Sequence, residues 1–368
     1  MTFQKNDIFR FVPFPVAKLL LLAFVATPDA TSLRAQDSKA NGMTTLPASQ
    51  SLDSLRKSIE QGHADEALVQ LDREAQAVPV PGGVHRMRGV ALYTQGKLQS
   101  ADKAFADAIQ QDPNDQESVQ MRGLTLFRLG RPEAAIPLLE RARKDNELAA
   151  NRPSTPADPA YVLALCYLDT RRYDDARGAF ATQFGFPPDS APAYLLAARM
   201  LLRREYLPIA QQFAHKALEL QPRLPQAHLL LGEVALAGNH MDEAVKEFEQ
   251  ERDLNPLEPS IYDRLGDAYI RQGNYDRAKQ SLQEAILLGP NFTGPFILLG
   301  KVLLKQGDAA GAANYLQHAR SMDGQNYMAH NLLGQAYRQM GLIDEARKET
   351  DIAQKLQSAS EPKLENIK

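Results

Sequence analysis

The sequence predicts an all-α fold, an α-solenoid of nine helix-turn-helix repeats of 34 residues. Three observations carry this expectation. Small residues recur on a fixed 34-residue ruler, each ruler length holds two amphipathic stretches, and Gly or Pro marks the joints between them. The clearest marks are two glycines seven apart and an Ala five residues further on: Gly89, Gly96 and Ala101. They return at Gly123, Gly130 and Ala135, at Gly266, Gly273 and Ala278, at Gly300, Gly307 and Ala312, and at Gly334, Gly341 and Ala346. Gly232 and Ala244 belong to the same series. The ruler divides the chain into segments 48–81, 82–115, 116–149, 157–190, 191–224, 225–258, 259–292, 293–326 and 327–360, with one insertion at 150–156. Place 20 is Ala in all nine: Ala67, Ala101, Ala135, Ala176, Ala210, Ala244, Ala278, Ala312 and Ala346. Place 32 is Pro in six: Pro79, Pro113, Pro188, Pro222, Pro256 and Pro290.

In chain order, residues 1–35 read as an address. Lys5, Arg10 and Lys18 precede the apolar run Leu19 to Ala26, which is too short to span a ~30 Å hydrocarbon layer as a helix. A basic start, a short apolar run and then Leu33-Arg34-Ala35 predict a cleavable secretory signal, cut after Ala35. The expected location is therefore periplasmic or secreted, without membrane insertion after cleavage. Four basic and two acidic residues leave with this segment, taking the net charge from -3 to -5. Residues 36–47 lack helical apolar spacing and are expected to form a flexible leader.

Segments one to three occupy 48–149 and segments four to nine 157–360. Each is expected to hold two helices of about a dozen residues with a turn near place 15. In the seventh, the helices are expected at Ser260–Gln272 and Tyr275–Leu288, with Gly273-Asn274 breaking the first and Gly289-Pro290 stopping the second. Asp174, Asp242, Asp276 and Asp344 open second helices, where a carboxylate interacts favourably with the helix dipole. Places 8 and 20 must be small because the two helices of a hairpin approach there, and overpacking costs about 1–3 kcal/mol. The first segment is degenerate, with Ser51, Leu55 and Ser58 in core places. In the last, Thr350 stands amid Arg347, Lys348, Glu349, Asp351 and Lys355, so the outer face of its second helix is expected to be solvated. The two prolines in Ala150 to Pro156 predict a loop, and 361–368 a polar tail.

This pattern resembles the tetratricopeptide repeat family, which has small residues at places 8, 20 and 27, aromatics around 11 and 24, and Pro at 32. The resemblance covers 48–360. The family's Trp at place 4 is absent; His228, Tyr262, Phe296 and His330 stand there instead. The resemblance implies a right-handed superhelix whose first helices line a concave groove, with places 2, 5, 9, 12 and 13 facing it. Place 12 is apolar in eight consecutive segments: Ile59, Tyr93, Phe127, Leu168, Leu202, Leu236, Ile270 and Leu304. Places 5 and 9 add Val90, Leu124, Tyr161, Leu165, Leu195 and Leu229. Place 9 also carries Arg199, Glu233, Asp267 and Lys301, and pairs Arg199–Glu233 and Asp267–Lys301 are expected across repeats. Arg199 and Arg203, one helical turn apart, are candidates to receive an acidic group. The Lys/Asn set with which some family members clamp a chaperone's C-terminal carboxylate is missing here.

Composition narrows the function classes. Of 368 residues 44% are hydrophobic and 24% charged, enough apolar material for a folded core. With 14 Phe, 12 Tyr and no Trp, that core must rest mainly on Leu, Ala and Val. The charge balance argues against nucleic acid as a partner. A single Cys, Cys166, excludes an internal disulfide and a cysteine zinc site, and it reads as a small buried hydrophobe. The seven histidines lack metal spacing, and the glycines are explained by turns and close helix approach. Asn291-Phe292-Thr293 matches a glycosylation acceptor, a triplet expected by chance in this length. The expectation is thus a protein with no catalytic residues, cofactor or metal, a scaffold holding a protein or peptide in its groove for envelope assembly or secretion. The alternative is an accessory or regulatory subunit of an envelope enzyme or polysaccharide-export complex, docked through its outer face or ends.

Overall fold

The computed structural model describes residues 48–148 and 159–360, and every regular element in them is an α-helix. The expected signal segment, leader, insertion loop and polar tail lie outside the described residues. The chain divides into two compact units, 1–185 and 186–368. The first holds α1 (Ala48–Glu60), α2 (Ala64–Glu74), α3 (Val84–Thr94), α4 (Leu98–Gln111), α5 (Gln116–Arg128), α6 (Pro132–Leu148), α7 (Ala160–Asp169) and α8 (Tyr173–Phe184). The second holds α9 (Ala191–Arg203), α10 (Leu207–Leu220), α11 (Ala227–Ala237), α12 (Met241–Leu254), α13 (Pro259–Gln272), α14 (Tyr275–Leu288), α15 (Thr293–Lys305), α16 (Ala309–Met322), α17 (Tyr327–Gln339) and α18 (Ile343–Ser360). The described residues therefore form nine hairpins, each starting within three residues of its ruler mark. Among them, no helix is long and apolar enough to cross a membrane.

The period is written into the backbone at place 15. Gly62, Gly96, Gly130, Gly273, Gly307 and Gly341 all have φ between 70° and 94°, and Arg171, Glu205 and Asn239 adopt the same region at 60° to 61°. A left-handed residue there reverses the chain between the two helices. It also lets the residue after it donate its N–H back into the first helix, as His63 does to Ser58 at 2.9 Å and Asn274 to Tyr269 at 2.8 Å.

Packing explains the alanine and glycine columns. All nine place-20 alanines are at most 2% exposed. Place 8 faces the large side chain at place 24 of the same hairpin: a Cβ on Gly232 would lie 2.3 Å from the Phe248 ring. A missing side chain on one helix is thus the socket for a ring on the other. Place 4 meets place 23 in the same way. Tyr194 and Phe213 stack edge-on with centroids 5.5 Å apart, and His228 Nδ1 lies 2.7 Å from Glu247. His330 Nδ1 lies 2.5 Å from the buried carboxylate of Glu349.

Successive hairpins are joined by two polar ladders. The Gln at place 14 donates to the Asp at place 18 of the preceding hairpin in Gln95–Asp65, Gln272–Asp242 and Gln306–Asp276, at 2.7 to 2.9 Å. The Tyr at place 11 meets place 25 of the preceding hairpin. Tyr167 donates to Glu140 at 2.6 Å, Tyr269 donates to Glu249 at 3.1 Å, and Tyr337 accepts from Gln317 at 2.8 Å. The acceptor and burial together push both the Tyr167 and Tyr269 hydroxyls above the usual phenol range, burial being the larger cause.

The first end of the array follows expectation, and the last departs from it at one residue. The degenerate first segment still folds as a hairpin, because Leu55, Ile59, Ala67 and Leu71 are all buried. In the last segment Arg347, Lys348, Asp351 and Lys355 are exposed, but Glu349 is not. It turns inward, where Arg320 and His330 both reach its carboxylate, because an unpaired charge at that depth would be costly.

Candidate functional site: the face of first helices

Within each unit every helix packs on its sequence neighbours, and the first helices of successive hairpins also touch one another. The second helices of successive hairpins are not packed together among the described residues. Within each unit, first helices therefore form one layer and second helices another.

In the first unit the groove candidates Val90, Tyr93, Phe127, Tyr161 and Leu165 are half-buried, while Ile59, Leu124 and Leu168 are buried, and the Tyr161 ring stacks edge-on against the buried Phe180 of α8 at 5.7 Å. The Arg128 guanidinium lies 4.6 Å from the Tyr93 ring centroid, a cation–π contact that holds the ring's orientation. Beside these rings runs a charge network. Arg56 Nη2 meets Glu117 at 2.7 Å, and Arg86 reaches Glu117 at 3.4 Å and Asp115 at 3.3 Å. The hydrogen bond to Glu117 pushes the Arg56 pKa further up. Asp115 is also the cap of α5, accepting from the Ser118 N–H at 3.1 Å.

In the second unit Leu195, Arg199, Leu202, Leu229, Glu233, Asp267 and Lys301 are half-buried, Arg203 is exposed, and Leu236, Ile270 and Leu304 are buried. The expected pairs Arg199–Glu233 and Asp267–Lys301 do not form. Arg199 donates to the Gln226 side chain at 2.8 Å, Arg264 binds Glu233 at 3.0 Å, and Arg271 binds Asp267 at 2.9 Å from the next turn of its own helix. Local and place-6 arginines reach these carboxylates with a better fork than a side chain reaching across helices.

Asp263, at place 5 of α13, is half-buried on the same face. Its Oδ1 is shut off from solvent and accepts no hydrogen bond. Burial pushes its carboxyl up to about 6, Asp267 adding to the rise and Arg264 opposing it.

Other candidate chemistry is sparse. Among the described residues no cluster of three or more His, Cys, Asp or Glu is placed to hold a metal, and Cys166 is fully buried. Two cavities of about 310 and 410 Å³ lie near the start of α3, lined by Val80, His85 and Gln111 and by Gly83, Arg86 and Asp115 respectively. Neither includes any of the predicted groove residues.

Comparison with known proteins places this geometry. Sequence patterns of the tetratricopeptide repeat match residues 59–116, 195–259, 259–292 and 303–359. The chain belongs to the tetratricopeptide-repeat family. Residues 93–183 match the family described as anaphase-promoting complex, cyclosome, subunit 3. No curated protein matches the sequence. Among solved structures, MamA (41-end) from Desulfovibrio magneticus RS-1 is 18% identical, over 47% of this chain and 98% of that one, with a TM-score of 0.44. YrrB, a tetratricopeptide-repeat protein described as having an unusual peptide-binding site, is 23% identical over 50% of this chain and 95% of its own, with a TM-score of 0.42. The APC/C hetero-tetramer Cut9–Hcn1 is 18% identical over 74% of this chain and 52% of its own, with a TM-score of 0.41.

Two residues of this tetratricopeptide-repeat chain, Glu251 and Asp263, are not singled out by periodicity, because the columns they stand in are only partly uniform. Place 27 is Ala in Ala108, Ala142, Ala217, Ala285, Ala319 and Ala353, but Glu74, Gln183 and Glu251 in the first, fourth and sixth segments. Place 5 is apolar in Leu52, Tyr161, Leu195, Leu229 and Ile297, but polar in Arg86, Gln120, Asp263 and Asn331. Glu251 lies on α12, a second helix, and is satisfied at the start of α11; Asp263 lies on α13, a first helix, and its Oδ1 is not.

Proposed function

We propose that the protein is an exported, non-catalytic scaffold that holds a segment of a partner protein on its first-helix face, in envelope assembly or secretion. Tetratricopeptide-repeat proteins are generally non-catalytic scaffolds, and the observation that carries the reading is the first-helix layer of the first unit. Val90, Tyr93, Phe127, Tyr161 and Leu165 are only half-buried there. Aromatic and aliphatic groups left partly wet on one face offer a partner apolar area at little cost in side-chain entropy. Export rests on residues 1–35, and cleavage after Ala35 would leave Gln36 as the first residue.

Crosslinking pull-down from the native envelope tests the scaffold reading. Tyr93→Ala with Phe127→Ala should abolish capture of the crosslinked partner while leaving the helical circular dichroism intact. Capture at wild-type level by the folded double variant overturns it. A second reading, an accessory subunit of an envelope complex, is favoured by Leu257, in the loop before α13, and Leu287, in the last turn of α14, which are 78% and 73% exposed. In that case Leu257→Ser with Leu287→Ser loses the partner and the aromatic variant keeps it. Mass spectrometry of the protein recovered from cells tests export: a chain starting at Met1 in the cytosol overturns that part.

A further inference from the structure

The first-helix face of the second unit holds a carboxylate that the fold leaves without a cation. Glu233 is bound by Arg264 and Asp267 by Arg271. Arg264 is the cation next to Asp263 in sequence, yet its guanidinium is turned to Glu233. Asp263 Oδ1 is sealed from water with no hydrogen-bond donor, while the residue as a whole is half-buried, part of its surface still reaching solvent. The ground beside it is unfilled. Gly294, on α15, presents no side chain, and a Cβ placed there would have only Asp263 Oδ1 within 4 Å, at 3.7 Å.

We infer that Asp263 is the anchor for a Lys or Arg side chain of a partner segment lying along the first-helix face of the second unit. The inference rests on the groove reading above and names the chemistry that the groove selects. A carboxylate whose burial already penalises its charge gains most from an incoming ammonium or guanidinium, because the new hydrogen bonds and the opposite charge both favour the ionised form. Glu233 and Asp267 on the same face are already paired with arginines, so Asp263 is the carboxylate still able to take an incoming cation.

Register follows from helix spacing. Packed helices lie about 8–10 Å apart, and an extended chain advances about 3.3 Å per residue. Leu229 on α11 is one helix from the anchor and Leu195 on α9 is two. The recognised segment therefore carries a basic residue with apolar residues about three and about six positions to one side.

The test is selection from a random peptide library displayed on phage, panned on the purified full chain and on its Asp263→Asn variant. Wild-type protein should enrich peptides with Lys or Arg at one position and an apolar residue about three away. A synthetic winner should bind Asp263→Asn about 10-fold more weakly by fluorescence anisotropy, as loss of a charge-assisted contact predicts. The neutral isostere should melt no lower than wild type, so misfolding does not confuse the result. Enriched peptides without a fixed basic position, or equal affinity for Asp263→Asn, overturn the assignment of Asp263 but leave peptide binding standing. No enrichment at all, or winners that ignore Leu195→Ala with Leu229→Ala, overturns both this inference and the groove reading in this unit.

Discussion

Glu205 occupies a backbone position that six of its eight counterparts fill with glycine. With φ at 60° it sits in the left-handed region beside Arg171 at 61° and Asn239 at 61°. For an ordinary L-residue this region costs about 1–2 kcal/mol, because Cβ crowds the following carbonyl, whereas Asn tolerates it better. Glycine carries no such cost but loses more freedom on folding. Glu205→Gly should therefore raise stability by roughly 0.5–1 kcal/mol, read as a higher urea midpoint with an unchanged slope. Asn239→Gly should change it less. If the glutamate variant is neutral and the asparagine variant gains, the place-15 conformation is not the source of strain. The same logic made the glycine and alanine columns legible from sequence. At Gly273 and Ala278 backbone geometry and close packing dictate the residue type, so the residue type reports the geometry.

At the scale of an element, α11 shows why the consensus residue is not always the stable one. Its entry residue Gln226 has φ of 68°, and the Gln226 N–H and Leu229 N–H both point at the carboxylate of Glu251, at 2.7 and 3.2 Å. Asn255 Nδ2 adds a third donor at 2.6 Å. Glu251 is 1% exposed, so a buried charge here serves as a cap borrowed from α12. Six sister segments carry Ala at this place. Glu251→Ala nonetheless strands two N–H groups of the helix start, and it should destabilise by about 1–3 kcal/mol. Glu251→Gln, which keeps an acceptor, should recover part of the loss. Equal melting temperatures for wild type and Glu251→Ala would show that α11 caps itself. Sequence periodicity does not single out such a residue, since its partners are backbone groups that carry no residue identity. Charge partners were harder still. Arg199, Glu233 and Asp267 each had several reachable neighbours, and side-chain geometry rather than spacing chose among them. The same applies to Asp263, whose importance lies in the partner it lacks.

At the scale of the whole molecule, contacts among the described residues run between neighbours: within each unit, each helix packs on the next and each first helix on the next first helix. Stability of such an array is close to a sum of hairpin terms and nearest-neighbour interface terms. A hairpin with a neighbour on both sides keeps its helices longer than one at an end. The two ends are unlike in composition yet alike in this respect. Among the described residues, the α1–α2 hairpin buries Leu55, Ile59 and Leu71 against α3 and no helix precedes it, while α18 exposes Arg347, Lys348, Asp351 and Lys355 with no helix after it. The α13–α14 and α15–α16 hairpins, by contrast, share one apolar cluster running from Ala235 to Ala336. Native-state hydrogen exchange should accordingly give the slowest amides in α13 and α15, with protection falling toward α1–α2 and α17–α18. The Gln–Asp ladder sharpens the expectation. Gln272→Ala and Gln306→Ala remove interface bonds without touching either hairpin's core, so they should speed exchange beyond the cut more than they change the cut hairpin itself. Uniform protection from α1 to α18, or ends that exchange last, would mean that the hairpins fold as one indivisible body and that the nearest-neighbour description fails.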